Sequence, residues 1–201
     1  MDNSRRKSHA QNICQKSRNE WSAYKIMNCI DEFKNSNIPF SWNELKIGRF
    51  GYSENEFYLQ DILDDEFVMK YTLDYLSKND NEENSHVWEL GSLFSPYDEK
   101  EIYKLLDLIK DSNEKDLISY YRWRWILVND LLKEITDKDY VNTLLEISEF
   151  WLDLKSPFDM PYQHQGMKNE LTPQEFYTEQ HLSKVISDHK KWLEDEKEKL
   201  N

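Results

Sequence analysis

Leu117-Ile118-Ser119-Tyr120-Tyr121-Arg122-Trp123-Arg124-Trp125-Ile126-Leu127-Val128-Asn129-Asp130-Leu131-Leu132-Lys133-Glu134-Ile135 decides the fold. On a helical wheel its apolar side chains lie nearly all round, so this helix is central and packed on several sides. Within it, Tyr120 to Trp125 has the residue types of a base-stacking platform, but such platforms line basic grooves. The chain carries a net charge of −13. The aromatics are therefore core residues, with Arg122 and Arg124 snorkelling or pairing with acids.

Outward from this segment the pattern stays helical. Ile102, Leu105, Leu106 and Ile109 form an i, i+3, i+4, i+7 stripe, and Ser95-Pro96-Tyr97-Asp98 before it supplies an N-cap, a proline at N1 and an acid at N3. Val141, Leu144, Leu145, Ser148, Trp151 and Leu152 make the next stripe. Thr172-Pro173-Gln174-Glu175 repeats the start grammar at a long C-terminal helix with Leu182, Val185, Ile186, His189, Trp192 and Leu193 on one side.

Toward the N-terminus, Ser41 and Glu44 make a capping box for a short helix that ends near Gly48 to Gly51. The spacing predicts a helix over 12–33, two helical pieces over 56–76 that meet near Asp64, and a short helix over 86–94 with Val87, Leu90, Leu93 and Phe94 inward. Four Gly and five Pro in 201 residues leave few breaks, and no segment alternates with period two. The expectation is an all-α fold: a compact multi-helix bundle, or an array of antiparallel helix pairs (95–110, 117–135 and 137–152). The whole chain, 1–201, is expected to be a single helical domain, with 1–11 a flexible basic tail.

The acids are unevenly placed. Glu54 to Glu99 holds thirteen of them against two bases, Lys70 and Lys78. That composition speaks against nucleic acid and against anionic membranes, both of which need Lys and Arg. No apolar run approaches the roughly 20 residues of a transmembrane helix. Met1 to Asn19 is basic but no apolar segment comes after it, so no signal peptide is expected and the protein is expected to be cytoplasmic. Cys14 and Cys29, if on one helix, sit about 22 Å apart and cannot bridge, which suits a reducing compartment.

No HExxH, CxxC, P-loop, GxGxxG or GxSxG occurs. Glu175, Glu179 and His181 cannot share one helix face, because His181 lies about 200° from Glu179. Asp61, Asp64, Asp65 and Glu66 lack the glycine and the alternation of a calcium loop. His189 falls in an apolar stripe and is a core histidine. His164 lies in the irregular 155–171 segment with no nucleophile or acid placed beside it by the sequence. No metal, cofactor or catalytic residue is assigned.

Ile38-Pro39-Phe40-Ser41-Trp42, Trp88-Glu89-Leu90-Gly91-Ser92-Leu93, Tyr121-Arg122-Trp123-Arg124-Trp125 and Ser156-Pro157-Phe158-Asp159-Met160-Pro161 together resemble a bacterial family of unknown function made of single-domain, acidic, helical proteins. That resemblance brings no catalytic residues. As a class, small acidic bacterial proteins without enzymatic motifs also resemble the immunity proteins that neutralise polymorphic or contact-delivered toxins. The expected function is accordingly that of an immunity protein that binds a cognate toxin with a basic surface, a nuclease in the first instance. Asp61, Asp64, Asp65, Glu66, Glu82 and Glu83 would steer the partner, and Phe57, Tyr58, Phe67 and Trp88 would anchor it. The alternatives are a hydrolase-like enzyme with a site near His164, or a non-catalytic helical adaptor. In this reading an acidic N-terminal half faces the partner and an aromatic C-terminal half holds the fold.

Overall fold

The computed structural model describes residues 30–111, 113–135, 139–167 and 169–200. The basic tail, both cysteines and most of the first expected helix lie outside them. Residues 30–35 are helical and bring Phe33, fully buried, into the core. Asn37 then turns the chain at φ 55, a left-handed conformation that Asn tolerates.

Ser41 caps α1 (Trp42–Phe50) in the expected capping box with Glu44, and Gly51 ends it at φ 74. The next segment is not helical. Tyr52–Glu54 (β1) and Phe57–Leu59 (β2) form a small antiparallel hairpin that pairs Tyr52 with Leu59 across a turn at Asn55, φ 56. Each strand is three residues long, too short to show an alternation. The helical piece expected over 56–64 is therefore replaced by a strand and a loop. Asp64, expected where two helices meet, is the N-cap of α2 (Asp65–Lys78) and accepts from Phe67 N at 2.7 Å.

Asn84 caps α3 (Ser85–Gly91), which buries Val87 and Leu90. Phe94 does not turn inward: it lies beyond the helix and is 85 % exposed. Nor does Pro96 start a helix. Asp98 is the N-cap of α4 (Glu99–Ile109), whose four-residue apolar stripe is buried as its spacing predicts. The central helix is α5 (Asp116–Glu134), and α6 (Tyr140–Asp153) comes after it. On α6 the stripe is narrower than expected. Thr143, Leu144, Ile147 and Trp151 are buried, whereas Leu145 and Leu152 face solvent. The Thr172 capping box opens a four-residue helix, α7 (Pro173–Phe176), and a second cap at Thr178 opens the long α8 (Glu179–Glu196). A 3-10 turn, Lys197–Leu200, closes the described chain.

The architecture is all-α apart from the hairpin. It is a bundle rather than a row of sequential pairs, because α5 packs chiefly on α1, α8 and the 3-10 turn rather than on its sequence neighbours α4 and α6. The helices α2, α3 and α4 do pack in sequence, and α4 returns to α1. Indole N–H groups tie the layers together. Trp123 donates to Glu44 O at 2.8 Å, Trp125 to Leu193 O at 2.9 Å and Trp192 to Asp159 O at 2.9 Å. Aromatic packing is not confined to the C-terminal half: Phe33, Phe40, Trp42, Tyr71 and Tyr75 join Trp123 through edge-to-face contacts.

Both arginines of the central helix pair with buried acids and neither snorkels. Arg122 meets Glu44 at 2.7 Å and Glu114 at 2.8 Å, and donates to Leu200 O at 3.0 Å. Arg124 forks onto Asp159 at 2.8 and 2.9 Å and reaches Glu196 at 2.6 Å. Four rings, from Phe57, Tyr120, Tyr121 and Trp192, lie within 5.8 Å of its guanidinium.

Candidate partner-binding surface

The side chains expected to meet a partner fall into three places. The first is the start of α2. Arg49, in the last turn of α1, lies 2.6 Å from Asp65, 3.2 Å from Glu99 and 3.9 Å from Asp61. Asp65 is thus an internal strut between two helices. The Asp61 carboxyl is pushed up from its ordinary value by burial, against the pull of Arg49. Asp64 is committed to its cap, and Glu66 is exposed beside it.

The second place is the far end of the same helix, about 20 Å away at 1.5 Å per residue. There Tyr75 donates to Glu82 at 2.6 Å and the Asn84 N–H donates to the same carboxylate at 2.9 Å. These two bonds hold the Glu82 carboxyl below the usual range. Trp88 Nε1 donates to the Glu82 carbonyl at 3.0 Å, yet the indole stays 46 % exposed. Glu83 and Glu89 are exposed nearby in sequence. Leu73, 55 % exposed, lies against Gly91 one turn beyond Trp88: a Cβ built on Gly91 would stand 3.9 Å from Leu73 Cδ2. Sequence reasoning misses Leu73. Its signal is its place on the outward face of α2 with Glu66, Lys70 and Ser77, all exposed.

The third place is the hairpin. Phe57 packs on Tyr120, Tyr121 and Phe158, with centroids 5.4 to 5.8 Å apart. Tyr58 lies under the Lys155 ammonium at 5.3 Å. Phe67, on α2, is half-buried against the core.

His164 is not solvated, and among the described residues its two ring nitrogens meet serines rather than an acid. It is buried, with Nδ1 2.8 Å from Ser148 Oγ and Nε2 2.9 Å from Ser156 Oγ, and burial lowers its pKa. His189 is fully buried: Nδ1 bonds the Val185 carbonyl at 2.7 Å and Nε2 accepts from Trp151 Nε1 at 2.9 Å. Those partners fix the neutral tautomer with the proton on Nδ1. Among the described residues no group of three His, Cys, Asp or Glu is placed to hold a metal ion. No helix among them is long and apolar enough to cross a membrane.

These features define an all-α protein with a strongly acidic α2–α3 face that leaves a tryptophan and a leucine in solvent. The chain belongs to the family described as "Uncharacterized protein conserved in bacteria (DUF2247)", which matches residues 30–197. No curated protein and no solved structure matches it.

Proposed function

We propose that this protein is a stoichiometric binder of a basic protein partner: an immunity protein that occludes a cognate bacterial toxin domain, a nuclease in the first instance. The observation that carries this reading is the pairing of exposed Trp88 and Leu73 with the acids of the α2–α3 hairpin. Interfaces draw their energy from a few desolvated aromatic and apolar anchors, and a surrounding field of one sign speeds encounter with the opposite sign. The acids do different work here. Asp61, Asp64 and Asp65 are engaged at the start of α2, by Arg49 or by the helix cap, whereas Glu66, Glu83 and Glu89 are exposed and take no part in it.

The test is coexpression with a basic toxin domain encoded beside the gene. The reading expects copurification in one-to-one stoichiometry and rescue of growth. Joint replacement of Glu66, Glu83 and Glu89 by Lys should abolish rescue while leaving the circular-dichroism spectrum intact. Full rescue by that triple variant would defeat the proposal.

A further inference from the structure

From Asp74 to Glu89 the α2–α3 face carries five acids and one base, and that base, Lys78, is already paired with Asp74 at 2.6 Å. Among the described residues no lysine or arginine pairs with Asp80, Glu83 or Glu89. Trp88 stands in the same stretch. Its Nε1 is tied to the Glu82 carbonyl at 3.0 Å, so the indole is held in place while 46 % of the residue stays in solvent. A fixed, exposed indole bordered by carboxylates suits a guanidinium, which stacks on the ring and pairs with the acids.

The complement lies in the same chain. Residues 1–19, outside the described part of the structure, hold Arg5, Arg6, Lys7, Lys16 and Arg18 against the single acid Asp2. With His counted as neutral, the two stretches carry equal and opposite formal charge, +4 and −4. The described fold begins at residue 30, and its first aromatic, Phe33, is joined to the acidic face by packed rings. Four ring-to-ring steps of 5.0 to 5.4 Å lead from Phe33 through Phe40, Tyr71 and Trp42 to Tyr75. Tyr75 in turn donates to Glu82. The twelve residues from Arg18 to Ile30 would reach about 18 Å as a helix and about 40 Å fully extended, the same order as that path.

We infer that the basic segment 1–19 docks in cis on the α2–α3 face, with an arginine stacked on Trp88 and its neighbours paired with Asp80, Glu83 and Glu89. The tether sets the segment's effective concentration at about a millimolar, so a weak contact suffices to fill the face. The segment shields the acids until a partner with a stronger basic surface displaces it. That consequence rests on the proposed reading of the face as an interface. The contact itself does not, and it is tested with no partner present.

In the experiment a nitroxide is attached at Ser8→Cys in the full chain carrying Cys14→Ser and Cys29→Ser. Paramagnetic broadening is read by NMR at the Trp88 indole and at the Glu83 and Glu89 amides. At about 0.05 M salt these signals should broaden at least roughly threefold more than the indoles of Trp125 and Trp192, which bond on the α8 side. Replacing Arg5, Arg6, Lys7, Lys16 and Arg18 by Gln, or raising salt to about 0.5 M, should remove most of that excess. In the native chain, with both cysteines kept, the same five replacements should shift the Trp88, Glu83 and Glu89 signals. That readout decides the matter if the cysteine-free chain does not fold. Isotope-labelled chains without nitroxide, mixed with unlabelled nitroxide chains, should show no broadening. No excess at Trp88, an excess indifferent to the five charges, or native signals that do not move would overturn the inference. So would broadening in the mixed sample, which would place the segment on a second copy.

Discussion

Glu44 shows how much one residue can be asked to hold. It is fully buried, closes the capping box with Ser41, accepts from Ser119 at 2.9 Å and pairs with Arg122 at 2.7 Å. Breaking a buried pair by removing one partner leaves an uncompensated charge and costs about 3–5 kcal/mol. Glu44→Ala should therefore lower the unfolding free energy by about that amount in urea titrations. Arg124→Lys keeps the charge but loses the fork onto Asp159, and should also destabilise measurably. The same scale carries a pH effect. His189 is held neutral by burial, below its ordinary 6.5. Its folded form resists a proton that the unfolded form accepts. The stability it contributes is complete above that ordinary value and is lost as pH falls toward the lowered folded value. Unfolding free energy should drop as pH falls below about 6.5, and at that pH, where a free imidazole is half protonated, the His189 ring signals should still be mainly those of the neutral form.

At the scale of elements, legibility tracked length and chemistry. The capping residues Ser41, Glu44 and Thr172, the stripe on α4 and the apolar α5 were readable because each is a local pattern with a local cause. The hairpin was not, since three residues per strand carry no period. Pro96 misled because Ser-Pro-x-Asp is helix-start grammar wherever it falls, and only packing shows that Asp98 supplies the cap. Leu145 and Leu152 misled because an amphipathic pattern does not say how wide a face the neighbours cover. For the candidate surface, Trp88 and the acids were readable as residue types. That Asp65 would be drawn inward by Arg49 was not, because that contact spans 16 residues and two elements. Helix packing also makes a sharp prediction at Gly48. A Cβ there would stand 2.6 Å from Trp123 and 2.7 Å from Leu63. Gly48→Ala should gain about 1 kcal/mol in helix propensity yet lose more to overpacking, for a net destabilisation of roughly 1–2 kcal/mol in thermal or chemical unfolding.

Over the whole molecule, the charge is the organising fact. Thirteen acids between Glu54 and Glu99 make a field that short-range pairing with Arg49 and Lys78 only partly offsets. Association with a basic partner should then be fast and strongly salt-dependent. Raising ionic strength from about 0.05 M to 0.5 M should slow the association rate at least roughly tenfold, while dissociation changes little. The most direct measurement is the affinity of the purified protein for a basic toxin domain taken from a neighbouring gene, by calorimetry, compared with Trp88→Ala and Leu73→Ser. The account predicts a one-to-one complex and a loss of roughly thirtyfold for Trp88→Ala, with a smaller loss for Leu73→Ser. Absence of a complex, or a complex whose affinity neither substitution changes, would contradict it.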